Sequence, residues 1–544
     1  MEASGVPIDS PFEIHYTLNG NAPTECDALY TEPFPLTRAC FSPSEDYRIQ
    51  SVPDDRWYEP EGVEHIIVVR AALYDTSGNR LSEVTTQSYL IDSLTGRPIG
   101  LPVVSLCVDS LSLFDYDTGL FVRGAYFEPH YPYTTGNYFQ KGRWWERAAS
   151  FELYDSTGLA LQQDCGLRVH GNSQRVMVQK GLSLYARADY GRSRLVYPFF
   201  GEQGLPHFKR LTLRPWSASW SGAGIEDWLC HRLARPLRCD RLDSRPVVLF
   251  LNGEYWGIYF LEEKVDEHYI EGHYGVNNRE VDLLSYWGGE VEHGSDRRWW
   301  TLFEWLQNTD LQDADDLRYL ETYIDLGELT DYMLLQLLVA NDDWPANNSR
   351  FWGTTGRPWR WIFFDGDGAL TTAAEDAAIL DYMTNASHRR NTHSSFRASV
   401  LFRRLLGNPT FLSRSYRRMS TLVDTHFSYD STAPQLHEIV EQVASEVSYQ
   451  SKRFGTPSSL SQWNVTINAI DDWLRTEPKA MLDKYADYFG LTEPGSEYVT
   501  VYDRYGRQVL PPGSSEAQAE TLPRGIYFLQ PDGGGEIVKL KIGN

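Results

Sequence analysis

Four oxygen-bearing side chains follow two apolar segments of the chain, where a fold could bring them together. Asp343 comes shortly after the apolar run 333–340, and Pro345 must end any helix that this run forms. Asn348 lies in the same loop, and the apolar segment 359–364 leads directly to Asp365 and Asp367. Mg²⁺ prefers carboxylate and amide oxygens, so the pattern predicts a magnesium site with Asn348 and Asp365 as protein ligands.

The spacing within this loop also matches a known arrangement for phosphoryl transfer. Four residues separate Asp343 from Asn348, as in the protein-kinase catalytic loop, where the Asp accepts the substrate hydroxyl proton and the Asn holds magnesium. Simpler interpretations remain open, because an Asp-Gly pair after a strand can be a tight turn and asparagines can satisfy loop backbone groups. A calcium loop at Asp365 and Asp367 is a further alternative, although the distal Glu of an EF-hand is missing.

A polar loop between two predicted strands could bind phosphate. The first strand contains Arg168, and exposed backbone amides at Asn172 and Ser173, with Arg175 nearby, could cradle an anion. Lys180, on the returning strand, would supply a point charge to phosphate oxygens. A hairpin with a solvated basic edge explains the same residues without a ligand.

Length and hydrophobic pattern predict a globular protein of about three domains. We expect a small β module over residues 1–92, a mixed core over 93–494 and a β-rich domain over 495–544. The core begins with strand-like runs, including a hairpin at Asn252-Gly253, and continues with helical runs such as 331–340 and 401–420. This order predicts an α+β fold in which a sheet-rich half meets a helix-rich half at a cleft.

Composition argues against some classes of partner. The formal net charge of -24 opposes nucleic-acid binding over most of the surface. No apolar run reaches the ~18 residues of a membrane span, so no transmembrane segment is expected. The six cysteines fall into three couples, Cys26 with Cys40, Cys107 with Cys165 and Cys230 with Cys239, and we expect disulfides rather than free thiols.

Four segments, in order along the chain, resemble the CotH kinase family, which is named for a spore-coat protein kinase. They are GNSQR with QKGLSLYAR (171–187), NGEYWGIYFLEEKVD (252–266), NDDWPANN (341–348) and WIFFDGDG (361–368). The resemblance implies a divergent protein-kinase-like core that binds ATP with Mg²⁺ and transfers a phosphoryl group to Ser or Thr hydroxyls. The implied roles are Asp343 as catalytic Asp, Asn348 and Asp365 as metal ligands, Asp367 as a second ligand, Lys180 as the phosphate-contacting lysine and Glu263 as its partner.

Three positions depart from the family pattern. Gly181 and Ser183 stand where the family often has a Ser and a basic residue, and Glu226 stands where an Arg is expected. The lost positive charge would weaken phosphate binding. The G-x-G-x-x-G loop of standard kinases is also absent from the sequence, so the nucleotide cover is not identified.

The flanking regions resemble parts of exported proteins. Residues 16–24, 29–31 and 69–71 resemble the chitobiase-type β-sandwich of secreted bacterial enzymes, and residues 522–527 with 537–542 resemble the type IX secretion sorting domain of Bacteroidetes. The resemblances imply a secreted or cell-surface protein whose N-terminal module contacts glycan. The first residues lack the features of a signal peptide, so either the protein stays inside the cell or a leader has been removed, and export is expected only from the resemblances.

Three functions follow as expectations. The first is transfer of the ATP γ-phosphoryl group to an unknown acceptor protein, with Mg²⁺ as cofactor. The second is a surface protein that binds glycan or protein through a kinase-like scaffold without turnover. Nucleotidyl transfer on the same scaffold is the third, and the sequence does not choose between γ- and α-phosphorus chemistry.

Overall fold

The N-terminal part of the protein is a small antiparallel sheet. The computed structural model describes residues 12–37, 40, 63–90, 97–219, 222–312, 314–370, 376–385, 387–388, 393–491, 499–514, 519, 521–531 and 538–542. The sheet has the order β2-β1-β3-β4, with β1 Phe12–Thr17, β2 Ala28–Leu29, β3 Ile67–Asp75 and β4 Thr85–Tyr89. A hydrogen bond of 3.0 Å from Ser88 N to the Glu152 carboxylate joins it to the next sheet.

A closed seven-stranded barrel follows. Its strands are β5 Val103–Cys107, β6 Arg147–Asp155, β7 Gly158–His170, β8 Gly181–Tyr185, β11 Arg210–Pro215, β12 Ser244–Leu251 and β13 Glu254–Glu263, in the order β11-β13-β12-β5-β6-β7-β8. Helix α1 (Ser110–Phe114) and the short ladder of β9 (Leu195–Val196) and β10 (His207–Phe208) lie in its connections. Asn252 and Gly253, both with positive φ, form the predicted turn between β12 and β13.

Side-chain alternation gives the barrel an apolar interior, and on β8 and β11 it places polar side chains on the outward face. Leu182 and Leu184 of β8 pack with Leu213 of β11 in one buried cluster. The intervening residues must point the other way, because successive side chains of a strand lie on opposite faces. Ser183, which pairs with Thr212 in the sheet, therefore lies on the outward face.

The second half combines a four-stranded sheet with most of the helices. The sheet order is β15-β14-β16-β17, from β14 Asp282–Ser285, β15 Glu290–His293, β16 Arg350–Thr354 and β17 Arg357–Ile362. The helices are α2 Glu226–Leu233, α3 Glu267–Tyr274, α4 Arg297–Asn308, α5 Ala314–Glu321, α6 Leu326–Leu338, α7 Asp376–Thr384, α8 His393–Gly407, α9 Pro409–Asp424, α10 Tyr429–Phe454 and α11 Leu460–Phe489. Strands thus precede most helices along the chain, as expected for an α+β protein.

The helical run predicted over 401–420 is divided into α8 and α9 at Asn408. The Asn408 side chain accepts a hydrogen bond of 3.0 Å from Phe411 N and so caps α9, and Pro409 occupies the first turn. Both residues favour a helix start. Within the described residues, no helix has the length and apolar character needed to cross a bilayer.

The C-terminal sheet has the order β19-β18-β20-β21, with β18 Val499–Asp503, β19 Gln508–Ser514, β20 Gly525–Pro531 and β21 Val538–Ile542. Sequence analysis predicts strands near 498–502, 525–529 and 537–542, and β18, β20 and β21 lie there. Strand β19 runs through Pro511 and Pro512. Prolines fit there because β19 is an edge strand, where missing amide donors cost little, and its pairing is irregular at this point.

The expected disulfides are wrong: all six cysteines are free. Cys107 lies in the core cluster outside the barrel, whereas Cys165 lies in the cluster inside it. The two thiols are therefore on opposite faces of the sheet. Burial raises the pKa of both Cys230 and Cys239 well above the ordinary thiol value, as expected for inert core residues.

Candidate functional site

Asp343 and Asn348 lie in the loop after α6, at the solvent-exposed mouth of a buried acidic cluster. The Asn348 amide nitrogen lies 3.5 Å from Asp343 Oδ2 and donates to the Asp365 carbonyl at 3.1 Å. These contacts leave the Asn348 amide oxygen available as a ligand. Partial desolvation, with the Asp365 and Asp342 carboxylates, raises the pKa of Asp343.

The segment from Asp365 to Gly368 follows β17 and is fixed by contacts on two sides. Gly366 N donates to Asp227 Oδ1 of α2 at 2.6 Å, and Asp342 N donates to the Gly368 carbonyl at 3.3 Å. Asp365 has φ 63°, a left-handed conformation that costs a residue other than Gly or Asn about 1 kcal/mol or more. The structure thus brings the loop after α6 and the turn after β17 together.

Arg214, near the end of β11, is the cation at the centre of this cluster. Its Nη2 donates to Asp365 Oδ1 at 2.6 Å and to Asp367 Oδ2, and its Nε lies 3.5 Å from Asp227 Oδ2. Burial disfavours the charged guanidinium, but these three carboxylates hold the pKa of Arg214 well above its ordinary value. Burial also raises the pKa of Asp367 well above its usual range, although Arg214 opposes the shift.

The predicted phosphate loop reaches the cluster through a residue to which sequence analysis assigns no role. Gln174 Nε2 lies 3.3 Å from Asp367 Oδ2. Arg175 faces the loop backbone instead: its Nε donates to the Gly171 carbonyl at 2.6 Å and its Nη1 to the Tyr138 carbonyl at 2.7 Å. The Asn172 side chain is exposed, and the Ser173 side chain lies outside the described part of the structure.

Lys180 does not lie among the acidic residues. Lys180 lies two residues before Leu182, so on an extended segment the two side chains lie on the same face. The Lys180 side chain therefore enters the end of the barrel, where it is fully buried. Its ammonium donates to the Arg175 carbonyl at 2.7 Å and the Met177 carbonyl at 2.9 Å, and lies 4.3 Å from the Tyr138 ring centroid. Burial lowers the pKa of Lys180 to about 7, with Arg175 adding to the effect.

The expected pair between Lys180 and Glu263 is not formed. Glu263 Oε1 lies 2.7 Å from His273 Nε2, and Glu263 Oε2 accepts from Asp243 N at 3.0 Å. Burial opposes the charged imidazole, but the Glu263 carboxylate raises the pKa of His273. Glu263 therefore anchors α3 to the end of β13 through His273.

The outward face beside Arg214 carries the departures from the family pattern. Ser183 pairs with Arg168 on β7 and Thr212 on β11, and Thr212 pairs with Glu262 on β13. The Arg168 guanidinium lies 3.8 Å from the Tyr185 ring centroid and 3.7 Å from Glu146, which also binds Arg187. The Tyr185 ring and the Glu146 carboxylate thus hold the Arg168 guanidinium in place.

Glu226, at the start of α2, adds a carboxyl to the buried wall. It is 1% exposed and accepts a hydrogen bond of 2.6 Å from Ser219 Oγ, while burial raises the pKa of its carboxyl. Burial likewise raises the pKa of Glu262 well above its ordinary value. Where the family pattern has basic residues, this wall has a hydroxyl and a carboxyl.

The oxygen donors of the cluster fit a hard cation. Asp365 and Asp367 offer carboxylates and Asn348 offers an amide oxygen, and Mg²⁺ completes its shell with waters and nucleotide phosphates. Among the described residues, no three His, Cys, Asp or Glu side chains are grouped as a ready metal site. Arg214 lies between the two carboxylates instead, so metal binding requires its guanidinium to move.

Sequence reasoning missed Arg214, Asp227 and Gln174. The signal for Arg214 is its place in the alternating run Leu211-Thr212-Leu213-Arg214, which puts a cation on the polar face of a strand. Nothing local distinguishes Asp227, because its role depends on the distant Gly366 amide.

The comparisons with known proteins agree with this architecture. The model of the CotH kinase protein family matches residues 167–481, and that of the Fn3 associated family matches residues 8–89. The first match covers more than half of the 544 residues, so the chain belongs to the CotH kinase protein family. No curated protein matches the chain significantly.

The family match confirms the kinase-like class of protein predicted from the motifs. The N-terminal region is matched as an Fn3 associated domain. Neither match names a chitobiase-type module or a type IX sorting domain, so both stay predictions, as do the domain bounds and the site roles.

Proposed function

We propose that the protein is an atypical kinase that transfers the ATP γ-phosphoryl group to Ser or Thr hydroxyls of an acceptor protein. The observation that carries this proposal is the convergence of Asp343, Asn348, Asp365 and Asp367 on one loop pair beside a buried arginine. Kinase catalysis consists mainly of positioning and charge stabilisation, which such a cluster can provide.

Asp343 is the proposed base that accepts the acceptor hydroxyl proton. Its raised pKa makes it a better proton acceptor than an ordinary exposed carboxylate, and its side chain is open to solvent and hence to a substrate. The Asn348 amide contact orients the Asp343 carboxylate.

Asn348, Asp365 and Asp367 would hold Mg²⁺, which when bound neutralises charge on the β- and γ-phosphate oxygens. Arg214 is the proposed phosphate-binding cation of this chain, because a guanidinium matches phosphate oxygens with paired donors. Movement of Arg214 from the carboxylates to the γ-phosphate would free the metal ligands and position the transferred group. Lys180 is proposed to act indirectly, by fixing the loop that carries Gln174.

We further propose that the protein is secreted or displayed at the cell surface, with its N-terminal module contacting glycan. The resemblance of the C-terminal strands to a type IX sorting domain supports export. Proteolytic accessibility on intact cells of the source organism tests this, since an internal protein would be protected.

A binding protein without turnover is the second candidate function. Two sets of contacts favour it. Arg214 already neutralises Asp365 and Asp367, and the Lys180 ammonium already donates to a backbone carbonyl. In that case the cluster would be a structural ion network between the barrel and the helices.

Transfer assays with ATP labelled at the γ or the α phosphorus separate these functions. The kinase proposal expects γ label on an acceptor protein, at least about a hundredfold less with Asp343→Asn or Asp365→Asn, and unchanged with the exposed control Asp472→Asn. α label on protein would indicate nucleotidyl transfer. No transfer, together with no rise in melting temperature at millimolar ATP and Mg²⁺, would favour the binding protein.

A further inference from the structure

Two adjoining cavities lie on the barrel surface away from Asp343. One has a volume of about 360 Å³ and the other about 270 Å³, and both are lined by Lys209, Arg210 and His268. The smaller cavity adds Arg143 and Arg187, and its lining contains no Asp or Glu. We call the two cavities together the basic groove. In a chain with a net charge of -24, such a concentration of cations is a local feature that requires a specific reason.

Three of the six Lys and Arg side chains that line the basic groove are already paired. Arg143 contacts Asp189, Arg187 contacts Glu146 at 2.6 Å, and Arg210 contacts Asp266 at 2.9 Å and Glu267 at 3.1 Å. These ion pairs hold the guanidinium groups in fixed positions around the groove. They also prevent collapse of the groove, because each arginine is tied to its own wall.

Lys209 and Arg194 are different. Both are half-buried, and neither forms an ion pair with any residue in the described ranges. Burial, followed by repulsion from Arg194, lowers the pKa of Lys209, and the Glu271 carboxylate opposes this only partly. Glu271 is already engaged, since its Oε1 accepts from Asn278 at 2.9 Å and its Oε2 lies 3.3 Å from His268. An incoming anion would therefore relieve repulsion that the protein does not itself compensate.

The basic groove lies at the opposite end of one barrel face from the acidic cluster. Arg210, Thr212 and Arg214 alternate along β11 on the same face, so the Cα atoms of Arg210 and Arg214 are separated by about 13 Å at ~3.3 Å per residue. Thr212 and Ser183, between the two regions, are 1% exposed. A segment bound in the groove would therefore reach Asp343 over the side chains that cover this part of the face, not along β11 itself.

We propose that the basic groove binds an acidic segment of the acceptor protein, through Lys209 and Arg194, at a distance from the hydroxyl that is phosphorylated. This proposal rests on the kinase function proposed above. The groove selects carboxylates by charge. The carboxylates of Glu263, Asp266 and Glu271, which also line the larger cavity, limit how far an acidic run extends.

Binding of a fluorescein-labelled oligoglutamate peptide, followed by anisotropy, tests the proposal with the full chain. The charge reversals Lys209→Glu and Arg194→Glu, made together, should weaken binding at least about tenfold, and added salt should weaken wild-type binding. The milder pair Lys209→Gln and Arg194→Gln should show an intermediate loss. The matched control is Arg475→Glu with Lys479→Glu on the exposed face of α11, which changes net charge equally and should leave binding unchanged.

Three results would overturn the groove assignment: equal binding by wild type and the reversed variant, displacement of the peptide by saturating ATP with Mg²⁺, or binding to phosphatidylserine vesicles in place of peptide. Thermal stabilisation by ATP and Mg²⁺ is measured on the same variants. If stabilisation persists while peptide binding is lost, the groove and the nucleotide site are separate. Absence of stabilisation in every protein, wild type included, would reject the kinase proposal but not anion binding.

Discussion

The outward face of the barrel has the acidic cluster around Arg214 at one end and the basic groove at the other, and the two regions differ in charge. At one end Arg214 is surrounded by Asp227, Asp365 and Asp367, which exceed what one cation neutralises. At the other end Lys209 lies among arginines, without a carboxylate of its own in the described structure. The acidic end therefore has more carboxylates than cations, whereas Lys209 at the basic end has no carboxylate paired with it among the described residues. The comparison indicates a cation ligand for the first and an anionic ligand for the second.

The difference also shows that charge alone does not define a site. Lys180 is a buried cation like Arg214, yet its ammonium is satisfied by two backbone carbonyls. Two of the three ammonium donors are thus directed to the main chain, which leaves Lys180 less need for a ligand than an unpaired cation has. A ligand site is indicated where the charge of a group is not balanced by the groups that surround it.

Replacement of Arg214 should have the largest effect. Arg214→Gln leaves the buried carboxylates of Asp227 and Asp367, and the half-buried Asp365, without a cation. The free energy of unfolding should therefore fall by about 3–5 kcal/mol, as measured by urea denaturation. The same variant should bind Mn²⁺ more tightly by calorimetry, because the guanidinium no longer competes for the carboxylates. Arg214→Lys should lose less stability, since the charge remains.

The exposed Arg475→Gln on α11 is the control for Arg214, with an expected change within about 0.5 kcal/mol. Unchanged stability of Arg214→Gln would mean that the acidic end is protonated and needs no cation. Unchanged Mn²⁺ affinity would mean that Asp365 and Asp367 are not metal ligands.

Lys180→Met tests the buried Lys180 ammonium, which binds backbone carbonyls, in contrast to Arg214 in the acidic cluster. Because burial lowers the pKa of Lys180 to about 7, the unfolded state binds more protons than the folded state between about pH 7 and the ordinary lysine pKa. Wild-type stability should therefore rise with pH across this window, by up to about 1.4 kcal/mol per pH unit, and the variant should lack this rise. Urea unfolding at several pH values measures it.

The exposed Lys479→Met should keep the wild-type pH dependence. Identical pH dependence in Lys180→Met would place a charged, solvated ammonium at this position. It would then reopen Lys180 as a phosphate ligand.

The elements of the fold were more predictable from sequence than the site. The Asn252-Gly253 pair correctly indicates the hairpin, and alternation indicates the strands β7 and β8, because local pattern decides these elements. Lys180 alternates with the apolar Leu182 and Leu184, so its burial could have been predicted from sequence. The carbonyls that bind its ammonium could not, since they depend on how the preceding loop folds. The contact of Gly366 with Asp227 depends on tertiary packing of α2, which no local pattern reports.

Ser183→Lys should add one positive charge to the neutral middle of the face, between the acidic cluster and the basic groove. Position 183 is on the outward face between Arg168 and Thr212, and Glu262 is near enough across the sheet to pair with a new ammonium. We expect ATP with Mg²⁺ to bind about tenfold more tightly, as measured by calorimetry. Ser461→Lys on exposed α11 should leave the affinity unchanged, and equal affinity of all three proteins would place the nucleotide elsewhere.

Glu262→Gln should have the smallest effect, and its sign is informative. Burial, reinforced by Asp227 and Asp367 against the pull of Arg214, raises the pKa of Glu262. A carboxyl whose pKa is higher in the folded state binds more protons when folded, so it lowers the free energy of unfolding as pH rises above the ordinary Glu value. The variant should therefore be more stable than wild type at neutral pH, with the difference vanishing in acid. A variant less stable at neutral pH would show that ionised Glu262 pairs with Arg214, and the acidic end would then need no further cation.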